Sequence, residues 1–333
     1  MDFSILLENL ISPITLAFVL GMIASLIRSD LEIPEPVIRI ISIFLLFSIG
    51  LQGGRELAAV ELGEIMGAIA VTAGVVIFIP LIAFLIARHL VGLDIRNAAG
   101  VAALYGSMSS VTFIVARSFA EARGTPMDGF VTGLVALMEL GILVALFYGR
   151  WALARAGSVS GSGRGKVSAI LLETLRGRSL VLLVGGLVIG AASGEVNMER
   201  IEPFFVDLFR GVLVIFLLEM GMAAASRLRE FLSVGARMLA FGVLVPLLNG
   251  TLVALLASVV GLPLGSAFVL ACAAASASYI DAPAAVRATF PEANPSIYLT
   301  SSVGITLPFM LIVGIPLLYA VTFHLQAVLG AGA

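Results

Sequence analysis

Charge is what this sequence has least of. Only 12% of its 333 residues are Asp, Glu, Lys or Arg, about half the share of a soluble domain, while 60% are hydrophobic and the mean hydropathy is +1.13. So apolar a chain has no soluble surface to build, and it is equally unlike a disordered one. A net charge of −2 leaves no basic footprint, which excludes a nucleic-acid binder. Cysteine is almost missing: Cys272 stands alone in an apolar run, can form no intrachain disulfide and says nothing about redox compartment. The two histidines, His89 and His324, lie near the ends of apolar runs, so a His/Cys metal cluster is excluded and no cofactor is implied. No GxGxxG, P-loop, GxSxG or HExxH occurs. Asp2 and Glu8 stand where a cleavable signal peptide would carry basic residues. What is present in abundance is membrane span, and the expected class is an all-α integral membrane protein.

A helix needs about 20 apolar residues to cross a hydrocarbon core of about 30 Å. Candidate spans fall at roughly 10–27, 37–53, 65–88, 97–118, 127–149, 179–193, 209–225, 235–260, 264–288 and 297–324, ten transmembrane helices in all. The runs are too long for strands and do not alternate, which excludes a β-barrel. Most of the basic residues, among them Arg28, Arg39, Arg88, Arg96, Arg150 and Arg155, fall on one side; Arg55, Arg117, Arg123, Arg200 and Arg210 fall on the other. The richer side is expected in the cytoplasm, with both termini outside. The Gly/Ser-rich and then amphipathic stretch 154–178 is the expected cytoplasmic linker between units 1–153 and 179–333.

The two units resemble each other at an offset of about 170 residues. The segment Phe44–Gly50 meets Ile215–Gly221, Pro80 meets Pro246, Ser107 and Ser109 meet Ser276 and Ser278, and Arg117 falls within one residue of Arg287. A copy with five spans must insert upside down, and paired inverted repeats around a midplane site are a transporter architecture. The fourth and ninth spans carry Tyr105-Gly106-Ser107-Met108-Ser109-Ser110-Val111-Thr112 and Ser276-Ala277-Ser278-Tyr279-Ile280-Asp281-Ala282-Pro283 at their centres. Gly, Ser, Asp and Pro break or cap helices. Two broken helices are therefore expected, which survive in a membrane only where they line a cavity or pack within protein. Half-helix N-termini suit a small anion; freed carbonyls and hydroxyls suit Na⁺. The plainer reading is that Ser and Gly only let helices approach, and the pairs Gly50/Gly54, Gly129/Gly133 and Gly186/Gly190 are assigned to packing.

Acids inside a bilayer cost roughly 2.5–3.5 kcal/mol on insertion scales, so Glu139, Glu219 and Asp281 each need a partner or a use. Asp281, beside the second break, and Glu139, in the span next to the first, are the candidate cation ligands, with Thr112, Ser301 and Ser302 able to complete the site. Hydroxyls bonding back to their own helix are the alternative around residues 300–306.

At these residues the sequence resembles the sodium-dependent bicarbonate transporter family, best known from cyanobacteria. The likeness is most specific at Asp207–Gly211 through Met220–Met222, at Ser276–Arg287, and at Glu292–Ser296 with Ser301-Ser302; it is looser at Ile33–Glu35, Gly50-Leu51 and Gly106–Ser110. The resemblance implies two inverted five-span repeats, divided into a gate and a core domain and assembled as a homotrimer in the bacterial inner membrane. It also implies Na⁺-coupled bicarbonate uptake, with Gly106, Ser107, Ser109, Ser110, Ser276 and Ser278 as the anion seat and Glu139 as the span-five carboxylate. The family's ninth-helix aspartate falls where Tyr279 stands, two residues before Asp281, and the linker is shorter than in cyanobacterial members, which bears on docking of a PII-like regulator. Competing readings are an H⁺- or Na⁺-coupled carrier of a small organic carboxylate and a membrane anion sensor that moves nothing. An intramembrane serine hydrolase is disfavoured, since no His, and no Lys inside a span, stands ready as a base for Ser107 or Ser276.

Overall fold

The computed structural model describes residues 13–58, 62–156, 176, 178–280 and 282–330. Most of the linker, at 157–175 and 177, therefore lies outside the described residues, as does Asp281. Every regular element among the described residues is helical. The first unit holds α1 (Pro13–Leu26), α2 (Glu35–Leu57), α3 (Leu62–Ile86, ending in a π-turn Ala87–Val91), α4 (Ile95–Tyr105), α5 (Ser110–Ala122), α6 (Phe130–Met138) and α7 (Gly141–Arg155). The second holds α8 (Arg178–Ser193), α9 (Glu195–Glu202), α10 (Phe209–Val234), α11 (Ala236–Val259), α12 (Leu264–Ala274), α13 (Ala282–Thr289) and α14 (Pro295–Leu299). The last run continues through a π-helical stretch Thr300–Thr306, the short α15 (Leu307–Phe309), a second π stretch Met310–Gly314, and α16 (Ile315–Leu329).

Six helical runs are long and apolar enough to cross a membrane: Glu35–Arg55, Ile65–Val91, Ile95–Ala122, Phe130–Arg155, Ala236–Val259 and Pro295–Leu329. Pro13–Leu26, Val181–Ser193 and Leu264–Ala274 are shorter apolar helices. The chain is a multi-pass membrane protein.

Four helices associate as crossed pairs, α1 on α10 and α2 on α8. Leu, Ile and Phe drive no association against lipid tails, so the pairs rely on close backbone approach. A Cβ at Gly54 would stand 2.1 Å from Leu187 O, and one at Gly190 would stand 2.1 Å from Leu51 O, so the facing Gly50/Gly54 and Gly186/Gly190 pairs form the α2–α8 seam. The other helices collect around two interruptions, between α4 and α5 and between α12 and α13. Pro80 and Pro246 lie inside α3 and α11. Two apolar cores result: one joins α1, α2 and α10 to α5, α6 and α12, and the other packs α4 and α7 against α11 and α13.

Candidate functional site

The interruptions form where the chain cannot continue a helix, and they touch. The Gly106 N–H still reaches Ala102 O at 2.8 Å, after which the helix stops. It restarts on Ser109, whose extended backbone (φ −95°, ψ 117°) and Oγ, accepting the Thr112 N–H at 3.3 Å, make a side-chain cap for α5. At the second interruption α12 ends at Ala274 and α13 begins at Ala282. Ser109 donates its N–H to Ser276 Oγ at 2.7 Å, and Ser278 donates its N–H to Leu104 O at 2.8 Å. The Ser276 hydroxyl in turn donates to Ala273 O at 2.6 Å, and Ser278 Oγ accepts from the Ala282 N–H at 3.5 Å. Gly106, Ser107, Ser109, Ser110, Ser276 and Ser278 are all buried.

Glu139 belongs to the same cluster. α6 and α7 part at Glu139 and Leu140, and Glu139 Oε2 accepts the Ser107 hydroxyl at 2.6 Å with the residue only 2% exposed. The support beneath this contact is backbone. A Cβ at Gly141 would lie 1.8 Å from Gly106 O, so glycine there lets α7 press directly on the first interruption. Pro80 of α3 backs Gly106 from the other side. Thr112 is buried one turn into α5 and reaches the cluster through its N–H.

Ser301 and Ser302 lie apart from it as hydroxyls. Their Oγ atoms donate to Tyr298 O at 2.9 Å and Leu299 O at 3.2 Å, within their own helical run. What joins that run to α4 is Tyr105, whose hydroxyl donates to Ser301 O at 3.1 Å and pairs with Thr306 Oγ1 at 2.6 Å; Thr306 donates on to Gly242 O at 2.7 Å. The π register is what presents a main-chain oxygen there, since a widened turn loosens the ordinary ladder. Sequence reading passed over Tyr105, although a tyrosine immediately before the Gly–Ser break was the available signal. Tyr279, which stands where the family has its ninth-helix aspartate, sits beside Ser278 and donates its hydroxyl to Met220 Sδ of α10 at 3.2 Å.

The outer ends of the interrupted pairs are anchored reciprocally. Asp94 caps α4 through the N–H groups of Arg96 and Asn97 at 2.9 and 3.1 Å, and Asn97 Oδ1 accepts the Asn294 N–H at 2.7 Å from the loop that follows α13. Partial burial works to raise the Asp94 carboxyl, but the bonds from Asn97 and Arg96 outweigh it and hold it below its ordinary value. At the opposite end, Ser266 near the start of α12 accepts the Asp128 N–H at 2.9 Å and donates to Asp128 Oδ2 at 2.7 Å, from the loop that follows α5. Each entering half-helix is thus held by the loop leaving the other pair.

A cavity of about 340 Å³ reaches the second interruption. Glu35, Arg39, Ser42 and Arg178 line it together with Phe216, Met220, Tyr279 and Ile280. Among the described residues no three His, Cys, Asp or Glu side chains converge. A cation held here would therefore rest on hydroxyls, carbonyls and single carboxylates, the donor set of a hard alkali ion.

Comparison with known proteins gives a family-level match. Residues 13–322 fit the model of the Na⁺-dependent bicarbonate transporter superfamily. No curated protein matches the chain.

Proposed function

Since the chain belongs to the Na⁺-dependent bicarbonate transporter superfamily, we propose that it carries bicarbonate, or a small anion like it, into the cell together with Na⁺. The observation that carries this reading is the contact between the two interruptions, Ser109 N–H on Ser276 Oγ, with the Glu139 carboxylate one hydrogen bond away on Ser107. The α5 and α13 N-termini both open at that contact, and together they supply amide donors and positive dipole ends for an anion. Glu139, with main-chain oxygens freed at the breaks, supplies the negative counterpart for Na⁺. Asp281 is the second proposed carboxylate, immediately before α13. The anion and cation then neutralise each other in a place where either alone would be costly.

The inverted arrangement of two five-span repeats rests on the exchange of contacts. α1 pairs with α10 and α2 with α8, and each entering half-helix is clasped by the loop of the other copy. Those crossings are what a twofold axis in the membrane plane generates, and they support ten spans with α1, α2, α8 and α10 as the gate and the remaining helices as the core. Transport then proceeds by an elevator-like or rocking displacement of the core against the gate.

The deciding experiment is uptake of labelled bicarbonate into proteoliposomes with Na⁺ replaced by choline, repeated at a second pH. Loss of uptake in choline at both pH values is expected. Uptake that ignores Na⁺ and follows the proton gradient would favour the organic-carboxylate carrier, for which the 340 Å³ cavity has room. Binding of the anion with no flux in either cation would leave a sensor.

A further inference from the structure

On one face of the molecule the interrupted pair is tied to the crossed helices by a chain of side chains. Arg117, near the end of α5 and 7% exposed, donates Nη2 to Gln52 Oε1 of α2 at 2.6 Å and Nε to Glu121 Oε1 at 2.9 Å. Glu121 Oε2 accepts Arg210 Nη2 of α10 at 3.4 Å. The chain Gln52–Arg117–Glu121–Arg210 therefore holds α5 against α2 and α10 at that face.

The opposite face carries the repeat counterparts of the outer pair, and there they are parted. Arg39 and Arg210 are separated in sequence by the same interval as Glu121 and Glu292, and as Gly50 and Gly221. Arg39 is turned onto Glu35 of its own helix, while Glu292 meets Arg96 at 3.6 Å. Arg39 also lines the cavity that runs in to Tyr279. Where the counterpart pair is split, a cavity reaches the second interruption; where the ion pair is made, a cavity of about 370 Å³ beside Gln52 and Arg55 is lined by none of the interruption residues.

We propose that these pairs are alternating latches. Glu121–Arg210 closes one face in the conformation described, and Arg39–Glu292 closes the other when the interrupted helices shift, each pair forming only as its counterpart parts. This rests on the reading of the chain as an alternating-access carrier. The four residues are positioning residues that never touch the cargo. A latch must also release, and their exposure allows it, since Arg210 is 65% and Glu292 64% exposed and neither pair is strong enough to trap the molecule. Removing one latch is expected to bias the two-state balance by about two- to fivefold. The partners these residues hold meanwhile, Glu35 and Arg96, keep the charges satisfied in the parted state.

The test uses two pairs of cysteines, Glu121→Cys with Arg210→Cys and Arg39→Cys with Glu292→Cys, and a short reversible bis-thiol reagent applied to the membrane-embedded protein. Arg39, Arg210 and Glu292 are well exposed and Glu121 partly so, and the native Cys272 is wholly buried and stays out of the labelling. Because Glu121 also holds Arg117, uptake by the unbridged Glu121→Cys/Arg210→Cys protein is the control for folding. Both pairs should bridge when tested singly, bridging should stop uptake, and reduction should restore it. In the fourfold variant, one bridge should exclude the other in the same molecule. Both bridges forming together, or an Arg39→Cys/Glu292→Cys pair that never bridges in an active protein, would overturn the latch. Mutual exclusion in a protein without flux would uphold the latch and overturn transport instead, so the two ideas fail separately. A change of charge adds a second readout: Arg210→Glu should change the uptake rate, whereas Arg210→Lys, which keeps a cation beside Glu121, should leave it near that of the native chain.

Discussion

At the residue scale, the contact that matters most is Glu139 with Ser107. A carboxylate 2% exposed in the middle of a bilayer protein is retained only where its charge is used or neutralised. Glu139→Gln keeps the shape and can still accept the Ser107 hydroxyl, but it removes the charge. The expected outcome is a protein of nearly unchanged thermal stability whose Na⁺ half-saturation in uptake rises at least about tenfold, a loss of roughly 1.4 kcal/mol of cation binding. An unchanged Na⁺ requirement would sink Glu139 as a cation ligand. Ser107→Ala should behave oppositely, leaving the carboxylate without that donor at a cost of about 1–3 kcal/mol in unfolding experiments in detergent. The residues of this site were legible because their types are anomalous where they stand: serines and glycine at a bilayer centre, an acid in an apolar span. Ser301 and Ser302 were anomalous in the same way, and their hydroxyls donate back into their own helix as Ser276 does to Ala273 O; what sets Ser276 apart is the Ser109 N–H it accepts as well. Composition alone cannot separate a ligand hydroxyl from one that bonds back three residues.

At the scale of elements, the interruption at Gly106–Ser109 could be read from residues that stop and cap helices. The one between α6 and α7 could not, because Leu137-Met138-Glu139-Leu140 contains good helix formers. Nothing in those side chains announces it; Gly141 permits it by giving Gly106 O room, and that contact is between elements distant in sequence. The π stretches of the last run escaped reading for a related reason, since the register is chosen by Tyr105 and Gly242 from other helices. The glycine seam between α2 and α8 was legible in spacing, and it carries a prediction. Gly190→Val would drive its Cβ into Leu51 O, which stands 2.1 Å from that position, whereas Gly185→Ala meets nothing within 4 Å. The first should lower stability in detergent by about 1–3 kcal/mol or more and the second should leave the melting temperature within error. Equal melting of both variants would remove the seam as a source of cohesion. The α7 contact on Gly106 belongs to the same class of backbone approach, with consequences for the site rather than for overall stability.

At the scale of the whole molecule, the sign of the arginine distribution and the position of the open cavity make one joint claim. Arg39 and Arg178, together with Glu35, line the cavity that reaches Tyr279, and the chain Gln52–Arg117–Glu121–Arg210 ties α5 to α2 and α10 at the other face. In the proposed topology the positive-inside bias puts the first face in the cytoplasm. On that topology the conformation described is inward-open, its mouth lined by Arg178 and by Arg39 paired with Glu35. Ser42 lines that cavity from α2, where it uses its hydroxyl only to bond Ile38 O of its own helix, so a cysteine there costs little. Cys272 is the chain's sole cysteine and is wholly buried, so a membrane-impermeant thiol reagent reports on the new site alone. Ser42 is only 6% exposed and is reached through the cavity, so Ser42→Cys should react faster in inside-out vesicles than in right-side-out cells. Agents that favour the opposite state, such as a bridge between Arg39→Cys and Glu292→Cys, should slow the inside reaction. Rapid labelling from the outside alone would invert the topology, because the cavity and the arginines lie on one face and must be reassigned together.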